Sequence, residues 1–128
     1  LARDSARAES SLDPGAEGHD GGLGLYQFMP KTWSWATDKL YGSPLGFKKA
    51  KELRPNAEVG VWYISWISKT LKKEGSYSRA GVIYCFNAGI GTFRERGYQV
   101  PTGHSNRIYS RYYKAYHAQS TSAKKRSP

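Results

Sequence analysis

The sequence predicts an all-α fold of about five to seven helices around a central buried helix. Glycine and proline cut the chain into pieces of helical length, and few of these pieces resemble strands. Several pieces also begin and end with residues that favour helix termini. One piece, residues 56–73, carries apolar side chains at helical spacing and has no charge between Val59 and Ser68. These three observations predict the fold class.

The first helix is predicted over residues 1–10, which are rich in Ala, Arg and Glu. Pro14 and Gly15 follow it and prevent it from continuing. Residues 11–29, named here the glycine-rich loop, contain no periodic apolar pattern. The loop therefore separates the first helix from the next one.

A second helix is predicted from Pro30, because proline suits the first turn of a helix, to Gly42, which ends it. The stretch 43–55 holds at most a short helix. Asn56 follows Pro55 and is a plausible N-cap for the third helix. The third helix would be the central one, with a buried face formed by Val59, Tyr63, Trp66 or Ile67, and Leu71.

The last part of the chain predicts two more helices and a tail. Residues 76–91 are apolar on most sides and are expected to form a helix stopped by Gly89 and Gly91. Residues 104–119 carry isoleucine and tyrosine at helical spacing, with basic residues on the other sides, and predict an amphipathic last helix. Residues 120–128 are small, polar and basic, and predict a disordered tail.

The composition suits one compact domain with a positive surface. The chain has 128 residues, with 20 Lys and Arg against 10 Asp and Glu, and a formal net charge of +10. This charge favours nucleic acid, a membrane surface or an anionic cell wall as partner, and does not choose among them. The single cysteine, Cys85, excludes an internal disulfide framework and suits a small buried residue.

Motifs for metal, phosphate and nucleophilic chemistry are absent from the sequence. The three histidines, His19, His104 and His117, are scattered, with no H-E-x-x-H pattern and no Cys/His cluster. Neither a Gly-Lys-Ser/Thr loop nor a G-x-S-x-G elbow occurs. We therefore expect no metal and no cofactor. What remains is Glu9, near the end of the first predicted helix and next to the glycine-rich loop.

The stretch from Glu9 to Gln27, ESSLDPGAEGHDGGLGLYQ, resembles the first motif of the soluble lytic transglycosylase family without a gap. The positions that coincide with this motif are Glu9, Ser10, Ala16, Gly21, Gly24, Leu25 and Gln27. Two later segments resemble further family motifs, namely Asn56-x-x-x-Gly60-x-x-Tyr63 and Phe86-Asn87-Ala88-Gly89. A weaker match places Tyr109 where the family carries a tyrosine in its last helix.

This resemblance implies a lysozyme-like single domain over residues 1–119 that cleaves the β-1,4 bond between N-acetylmuramic acid and N-acetylglucosamine in peptidoglycan. Family members use one glutamic acid, first as general acid on the glycosidic oxygen and then as general base on the C6 hydroxyl, which closes a 1,6-anhydro ring. The resemblance gives this role to Glu9. One carboxyl is sufficient because the substrate supplies the nucleophile, unlike in glycosidases with two carboxylates. Glu9 must then stay protonated near neutral pH, which needs a partly apolar setting.

The resemblance also implies a set of substrate-binding residues, namely Ser10, Gly24, Tyr26, Gln27, Phe86, Asn87 and Tyr109. Glycines in the loop let the backbone pass close to the sugar chain, and Gln27 can offer both a donor and an acceptor to an acetamido group or a carboxyl. Other interpretations stay open for two of these residues. Asn87 could cap or turn the chain before Gly89, and Tyr109 could pack in the core.

Several positions differ from the family pattern. Gly18 stands where the family often has serine, and Tyr26 replaces methionine, which offers a stacking face or a hydroxyl. Phe86 replaces a tyrosine and cannot make its hydrogen bond. We hypothesise that Tyr84, Tyr26 or Tyr109 supplies a hydroxyl instead.

Two other functions remain open at this point. The same glutamate could direct water onto the sugar, which would make the chain a muramidase. Alternatively, a noncatalytic basic module could bind glycan or nucleic acid through Lys, Arg and exposed aromatic residues. The transglycosylase interpretation predicts peptidoglycan strands as partner, with anionic cell-wall polymers as further candidates, and expects a monomer that binds no nucleic acid.

The expected location is periplasmic, cell-wall associated or secreted. No run of residues approaches the ~20 apolar residues of a membrane span. The sequence begins at Leu1 and shows no secretory signal pattern. We therefore expect a mature or excised segment without its targeting sequence.

Overall fold

A computed structural model of the protein describes residues 2–10 and 13–102. Within these ranges the chain forms five α-helices and one 3₁₀ helix, which are α1 (Ala2–Ser10), α2 (Pro30–Tyr41), the 3₁₀ helix Phe47–Lys51, α3 (Leu53–Lys73), α4 (Arg79–Ala88) and α5 (Ile90–Glu95). The same ranges contain no strand, only two isolated bridges within the glycine-rich loop. The predicted all-α fold is confirmed. The predicted last helix, 104–119, and the tail, 120–128, lie outside the described residues.

Helix α2 begins and ends where the sequence predicts. Pro30 occupies its first turn. Gly42 has a φ of +87° in the left-handed region and donates its N–H to the Asp38 carbonyl at 2.9 Å. The indole N–H of buried Trp33 donates to the Gly46 carbonyl at 3.1 Å, which fixes the connection that follows the helix.

Helix α3 begins at Leu53, so the prediction that Asn56 is its N-cap is wrong. The backbone N–H of Asn56 already donates to the Glu52 carbonyl at 3.2 Å, and its side chain is bonded to a distant part of the chain. The predicted apolar stripe is confirmed, with Ile67 fully buried and Trp66 only partly buried. The buried face comprises Asn56, Val59, Gly60, Tyr63, Ile64, Ile67 and Leu71.

Gly89 alone ends α4. Its backbone has φ +90° and ψ 146°, and its N–H donates to the Cys85 carbonyl at 2.8 Å. Helix α5 begins at the next residue, Ile90, so Gly91 lies inside a helix and the prediction that it stops one is wrong. The reason is that the helical path is already broken by the left-handed φ at Gly89.

The chain divides into two compact units, Leu1–Tyr63 and Ile64–Pro128, named here the first and second units. The core of the first unit is aromatic. The ring centroid of Phe28 lies 5.5 Å from that of Trp33 and 6.1 Å from that of Tyr63. Such edge-on and tilted pairs add stabilisation beyond the apolar area that they bury.

The second unit has its own buried cluster around Phe93. The ring centroid of Phe93 lies 5.7 Å from that of Tyr84 and 5.6 Å from that of Tyr98. Cys85 is also fully buried here, as the sequence predicts, and burial raises the pKa of its thiol to about 12. Cys85 therefore acts as a small core residue.

A polar cluster on the surface of the second unit joins Glu74, which follows α3, to α5 and the segment after it. Arg94 donates two hydrogen bonds to the Glu74 carboxylate, at 2.7 and 3.0 Å. The hydroxyl of Tyr98 donates to the same carboxylate at 2.9 Å. These bonds lower the pKa of Glu74, first through Arg94 and then through Tyr98.

Candidate active site

Glu9 lies next to the last residue of α1, at the end of a helix as predicted. Its side chain is partly exposed, but its Oε1 atom is withdrawn from solvent. Removal of an oxygen from water favours the neutral carboxyl, and so does the negative end of a helix dipole. The position therefore suits a group that donates a proton.

Ser10, the last residue of α1, fixes this helix end. Its hydroxyl lies 2.7 Å from the Leu25 carbonyl and 3.0 Å from the Ala6 carbonyl of its own helix. The first contact joins α1 to the glycine-rich loop across fifteen residues of sequence. The end of α1 that carries Glu9 is thereby held to the loop segment 24–27.

The described part of the glycine-rich loop, residues 13–29, folds back on itself through backbone hydrogen bonds. Leu23 and Phe28 exchange two of them, each 3.1 Å between nitrogen and oxygen. The N–H of Gly24 donates to the Ala16 carbonyl at 2.8 Å. Gly24 has a φ of +77°, which glycine adopts without strain. The loop is thus an ordered turn with its own hydrogen bonds.

Asn56 of α3 holds the loop from the other side. Its Oδ1 atom accepts the N–H of Tyr26 at 2.9 Å, and its Nδ2 atom donates to the carbonyls of Leu23 at 3.1 Å and Ala50 at 2.6 Å. The side chain is fully buried. A Cβ atom at Gly24 would overlap both Asn56 Nδ2 and the Ala50 carbonyl oxygen, so the approach requires glycine.

Tyr26 packs against α3. Its side chain is only 3% exposed, and a Cβ atom at Gly60 would overlap its ring carbons. The ring centroid lies 6.4 Å from that of Phe28, and burial raises the pKa of the Tyr26 hydroxyl. The ring is therefore part of the core of the first unit, and its predicted contact with a sugar stays a prediction.

Gln27 turns its side chain back onto the loop. Its φ is +55°, and its Nε2 atom donates to the carbonyls of Ala16 at 3.2 Å and Gly24 at 2.9 Å. A Cβ atom at Gly18 would overlap Gln27 Oε1, and one at Gly22 would lie 3.1 Å from it. The amide donors thus stabilise the loop, and the missing side chain at Gly18 leaves room for the amide. The role of Gln27 in substrate binding stays a prediction.

The remaining predicted site residues belong to the second unit or lie outside the described residues. Asn87 is exposed near the end of α4, where its Nδ2 atom donates to the Ile83 carbonyl of the same helix at 3.0 Å. Phe86 is partly buried, and Tyr84 is 5% exposed. Tyr109 lies outside the described residues.

Sequence reasoning missed a cleft in the first unit between the glycine-rich loop and the 3₁₀ helix. Its volume is about 590 Å³. The lining residues are Glu17, Gly18, Gly21, Leu23, Phe47, Lys48 and Lys51. One signal could have indicated it, because side chains three apart share one side of a 3₁₀ helix and Lys48 and Lys51 have this spacing. The cleft also depends on the position of the loop beside this helix, which the sequence does not show.

The described part of the chain contains neither a candidate metal site nor a candidate membrane helix. Within residues 2–10 and 13–102, no group of three or more His, Cys, Asp and Glu side chains could hold a metal ion. None of the helices in these ranges is both long enough and apolar enough to cross a bilayer.

The geometry agrees with a comparison against protein-family models. A family model described as the Transglycosylase SLT domain matches residues 3–108, which reach from the first turn of α1 past the end of α5. No curated protein sequence matches the chain. SLT domains act on peptidoglycan, in the periplasm or the cell wall. The chain belongs to the SLT transglycosylase family and has its all-α, lysozyme-like domain.

Proposed function

We propose that this protein is a peptidoglycan lytic transglycosylase. It cleaves the β-1,4 bond after N-acetylmuramic acid and leaves 1,6-anhydromuramyl ends, with Glu9 as the one catalytic carboxyl. The proposed domain covers residues 1–119, and the basic residues 120–128 are a tail that takes no part in bond cleavage. The protein acts as a monomer on glycan strands, and its net charge of +10 favours anionic wall polymers as further partners.

The observation that carries the proposal is the setting of Glu9. Its carboxyl stands at the end of α1 with Oε1 out of solvent, and the neighbouring Ser10 is hydrogen-bonded to the Leu25 carbonyl. The first feature raises the free-energy cost of ionising this carboxyl. The second limits movement of the helix end, which a positioned general acid requires.

In the proposed reaction, protonated Glu9 gives its proton to the glycosidic oxygen as the bond from C1 of the muramyl sugar breaks. Positive charge then develops at C1, and the Glu9 carboxylate faces it. The C6 hydroxyl of the same sugar attacks C1 and transfers its proton to Glu9, which restores the acid. The nucleophile is intramolecular, so its effective concentration exceeds that of water wherever the sugar is correctly held.

The other predicted site residues have different proposed parts. Gly24 and Gln27 shape the loop beside the end of α1, and Tyr26 supports that loop from the core. Asn87 presents a polar group at the surface of the second unit and is proposed to bind a sugar acetamido group. The hydroxyl that Phe86 lacks is proposed to come from another tyrosine of the chain.

The experiment compares wild type with Glu9→Gln on purified sacculi. The amide is nearly isosteric and keeps the fold, but it neither gives nor takes the proton. We expect activity to fall by at least ~10²-fold, as is typical when a general acid is removed. Glu95→Gln is the matched control, because Glu95 is exposed on α5 and has no ion pair among the described residues.

Mass spectrometry of the released fragments identifies the reaction. Wild type should release anhydromuramyl products, each lighter by one water than the corresponding hydrolysis product, and no new reducing ends. Reducing ends as the main product would favour the muramidase instead. A fully active Glu9→Gln protein would reject Glu9 as the catalytic carboxyl of either enzyme. A wild type that binds sacculi without cleaving them would leave the noncatalytic glycan-binding module.

A further inference from the structure

The cleft between the glycine-rich loop and the 3₁₀ helix combines apolar and charged surface. Leu23 and Phe47 are both partly exposed and supply apolar surface. Lys48 and Lys51 carry ammonium groups on the same side of the 3₁₀ helix. A volume of about 590 Å³ lies within the usual range of small-molecule sites. The cleft is therefore large enough for a short peptide segment.

The cleft contains two lysine ammonium groups and one glutamate carboxylate, so its charges do not cancel. Lys51 forms an ion pair and hydrogen bond with Glu17, which lowers the pKa of Glu17 and keeps it ionised at neutral pH. Lys48 has no ion pair or hydrogen bond with any of the described residues and is exposed. Lys49 on the same helix pairs with Glu52 at 3.3 Å and does not line the cleft. The cleft thus carries one net positive charge, at Lys48.

The backbone N–H groups of Gly18 and Gly21, which line the cleft, are already hydrogen-bonded within the loop and do not bind an anion. The N–H of Gly18 donates to the Gly22 carbonyl at 2.8 Å, and the N–H of Gly21 donates to the Gly18 carbonyl at 3.1 Å. Recognition of a negative group must therefore come from the ammonium groups. Lysine acts as a point charge, without the two-pronged geometry of arginine.

These features favour a single carboxylate beside alkyl groups over a chain of phosphates. A polyphosphate or polyol-phosphate chain needs several cations along its path, whereas this cleft places the Glu17 carboxylate beside its two lysines. Such a chain would also bring no apolar groups to pack against Leu23 and Phe47. A peptide with small apolar side chains and one free carboxylate fits both parts of the surface.

We propose that this cleft binds the acidic stem peptide attached to the muramyl sugar, with Lys48 contacting a free carboxylate of that peptide. The inference rests on the proposed function, because peptidoglycan strands bring this peptide to the protein on their muramyl sugars. It adds a determinant of substrate preference on the side of the loop that faces the 3₁₀ helix. Strands whose stem carboxylates are free are bound more tightly than strands whose carboxylates are amidated.

The test measures binding of two small probes to the full chain by titration with ¹⁵N-detected NMR. One probe is N-acetylmuramoyl-L-alanyl-D-glutamic acid, and the other is the same molecule with both carboxyls amidated. The acid should shift the amide signals of Gly18, Gly21 and Lys48, and should bind about two- to fivefold more tightly than the diamide, as one exposed ion pair allows.

Variants assign the preference to one lysine. Lys48→Gln should weaken binding of the acid to the level of the diamide, and Lys48→Arg should retain the preference. Lys49→Gln is the matched control, because it removes the same charge from the same helix outside the cleft. Equal binding of acid and diamide by wild type, or equal losses in Lys48→Gln and Lys49→Gln, would overturn the proposal.

Two further measurements separate this proposal from the proposed function. Glu9→Gln should bind both probes as wild type does, because the binding assay does not depend on bond cleavage. If wild type cleaves no glycan but still discriminates acid from diamide through Lys48, the cleft stands and the enzymatic function fails. If inorganic polyphosphate displaces the acid probe at lower concentration than the acid itself binds, the cleft serves a phosphate polymer and the proposal is wrong.

Discussion

The glycine-rich loop and the α4–α5 segment are held in place in different ways. The described part of the loop, residues 13–29, is fixed by side-chain amides and a hydroxyl that bond to its backbone, chiefly from Asn56 and Ser10. The α4–α5 segment satisfies its backbone within its own helices and is fixed by the packing of Phe93 with Tyr84 and Tyr98. Both segments follow a helix, but side-chain hydrogen bonds hold the loop, whereas aromatic packing holds the α4–α5 segment.

The difference follows from what each backbone leaves unpaired. A helix interior bonds its own N–H and C=O groups, so apolar contact alone can dock it. An irregular loop exposes backbone groups, and burying them without partners would cost about 1–3 kcal/mol each. The loop therefore depends on a few directional bonds, and a single substitution can remove several of them. The candidate site is built on this more vulnerable region.

The largest expected effect is at Asn56. Asn56→Ala removes the side-chain partner of the Tyr26 N–H and of the Ala50 carbonyl, and it leaves the Leu23 carbonyl with only the Phe28 N–H as donor. We expect a loss of about 3–5 kcal/mol in the free energy of unfolding. Chemical denaturation measures this loss. Hydrogen exchange at the Tyr26 amide should accelerate more than exchange in α4.

Asn87→Ala is the control, because Asn87 is exposed and bonds only the Ile83 carbonyl of its own helix among the described residues. We expect it to change the free energy of unfolding by less than about 0.5 kcal/mol. If Asn56→Ala does not fold, Asn56→Asp keeps the acceptor for the Tyr26 N–H. It measures the loss of the amide donors together with the cost of a carboxyl oxygen facing two carbonyls. Equal losses in the two alanine variants would contradict the contrast drawn between loop and helices.

The next largest effects are expected at Gly60 and Gly91, where alanine should change the free energy of unfolding in opposite directions. Gly60→Ala pushes a methyl group into the Tyr26 ring, and we expect a loss of about 1–3 kcal/mol in unfolding free energy. Gly91→Ala places its methyl in open space within α5, where alanine should raise stability by about 0.5–1 kcal/mol. Thermal or chemical unfolding of both proteins checks the signs. A stabilising Gly60→Ala would show that Tyr26 can move away at little cost.

The smallest effect concerns the Glu74–Arg94–Tyr98 cluster and depends on pH. The pKa of Glu74 is lowered in the folded protein, so its contribution is present above the ordinary value of 4.5 and is lost as the pH falls through the folded value. The stability difference between wild type and Glu74→Gln should therefore shrink on acidification below pH 4.5. Glu95→Gln, which removes an exposed carboxylate from the same unit, should show no such trend. A difference that stays constant would mean that charge is irrelevant at Glu74.

The sequence predicted those features that depend on a residue's own backbone. Pro30 and Gly42 mark the ends of α2, because a fixed φ and a left-handed φ act locally. Glu9 was expected near a helix end and lies there, since its helix needs only good helix formers and a later proline. Glu9 could thus be placed from the sequence because it lies next to strong local signals, namely good helix formers and a proline that follows the helix.

Contacts between distant segments could not be predicted. Asn56 has the residue type of an N-cap, but its amide bonds to a loop about thirty residues earlier. The substrate-binding role of Gln27 stays a prediction, and the sequence did not indicate that its amide donates to the carbonyls of Ala16 and Gly24. The cleft at Lys48 depends on where the loop lies in space. The Asn56 contacts and the cleft are not visible in spacing or periodicity, because the partners in both cases are far away in the chain.

The close packing of Gly18 against Gln27 constrains how this protein can evolve. A serine at Gly18 would overlap Gln27 Oε1 as the amide now lies. The two positions are therefore coupled, because a side chain at position 18 requires Gln27 to reorient its amide. On such a reorientation the carbonyls of Ala16 and Gly24 lose their amide donor. The two carbonyls would then keep only their backbone donors, the N–H groups of Gly24 and Gln27.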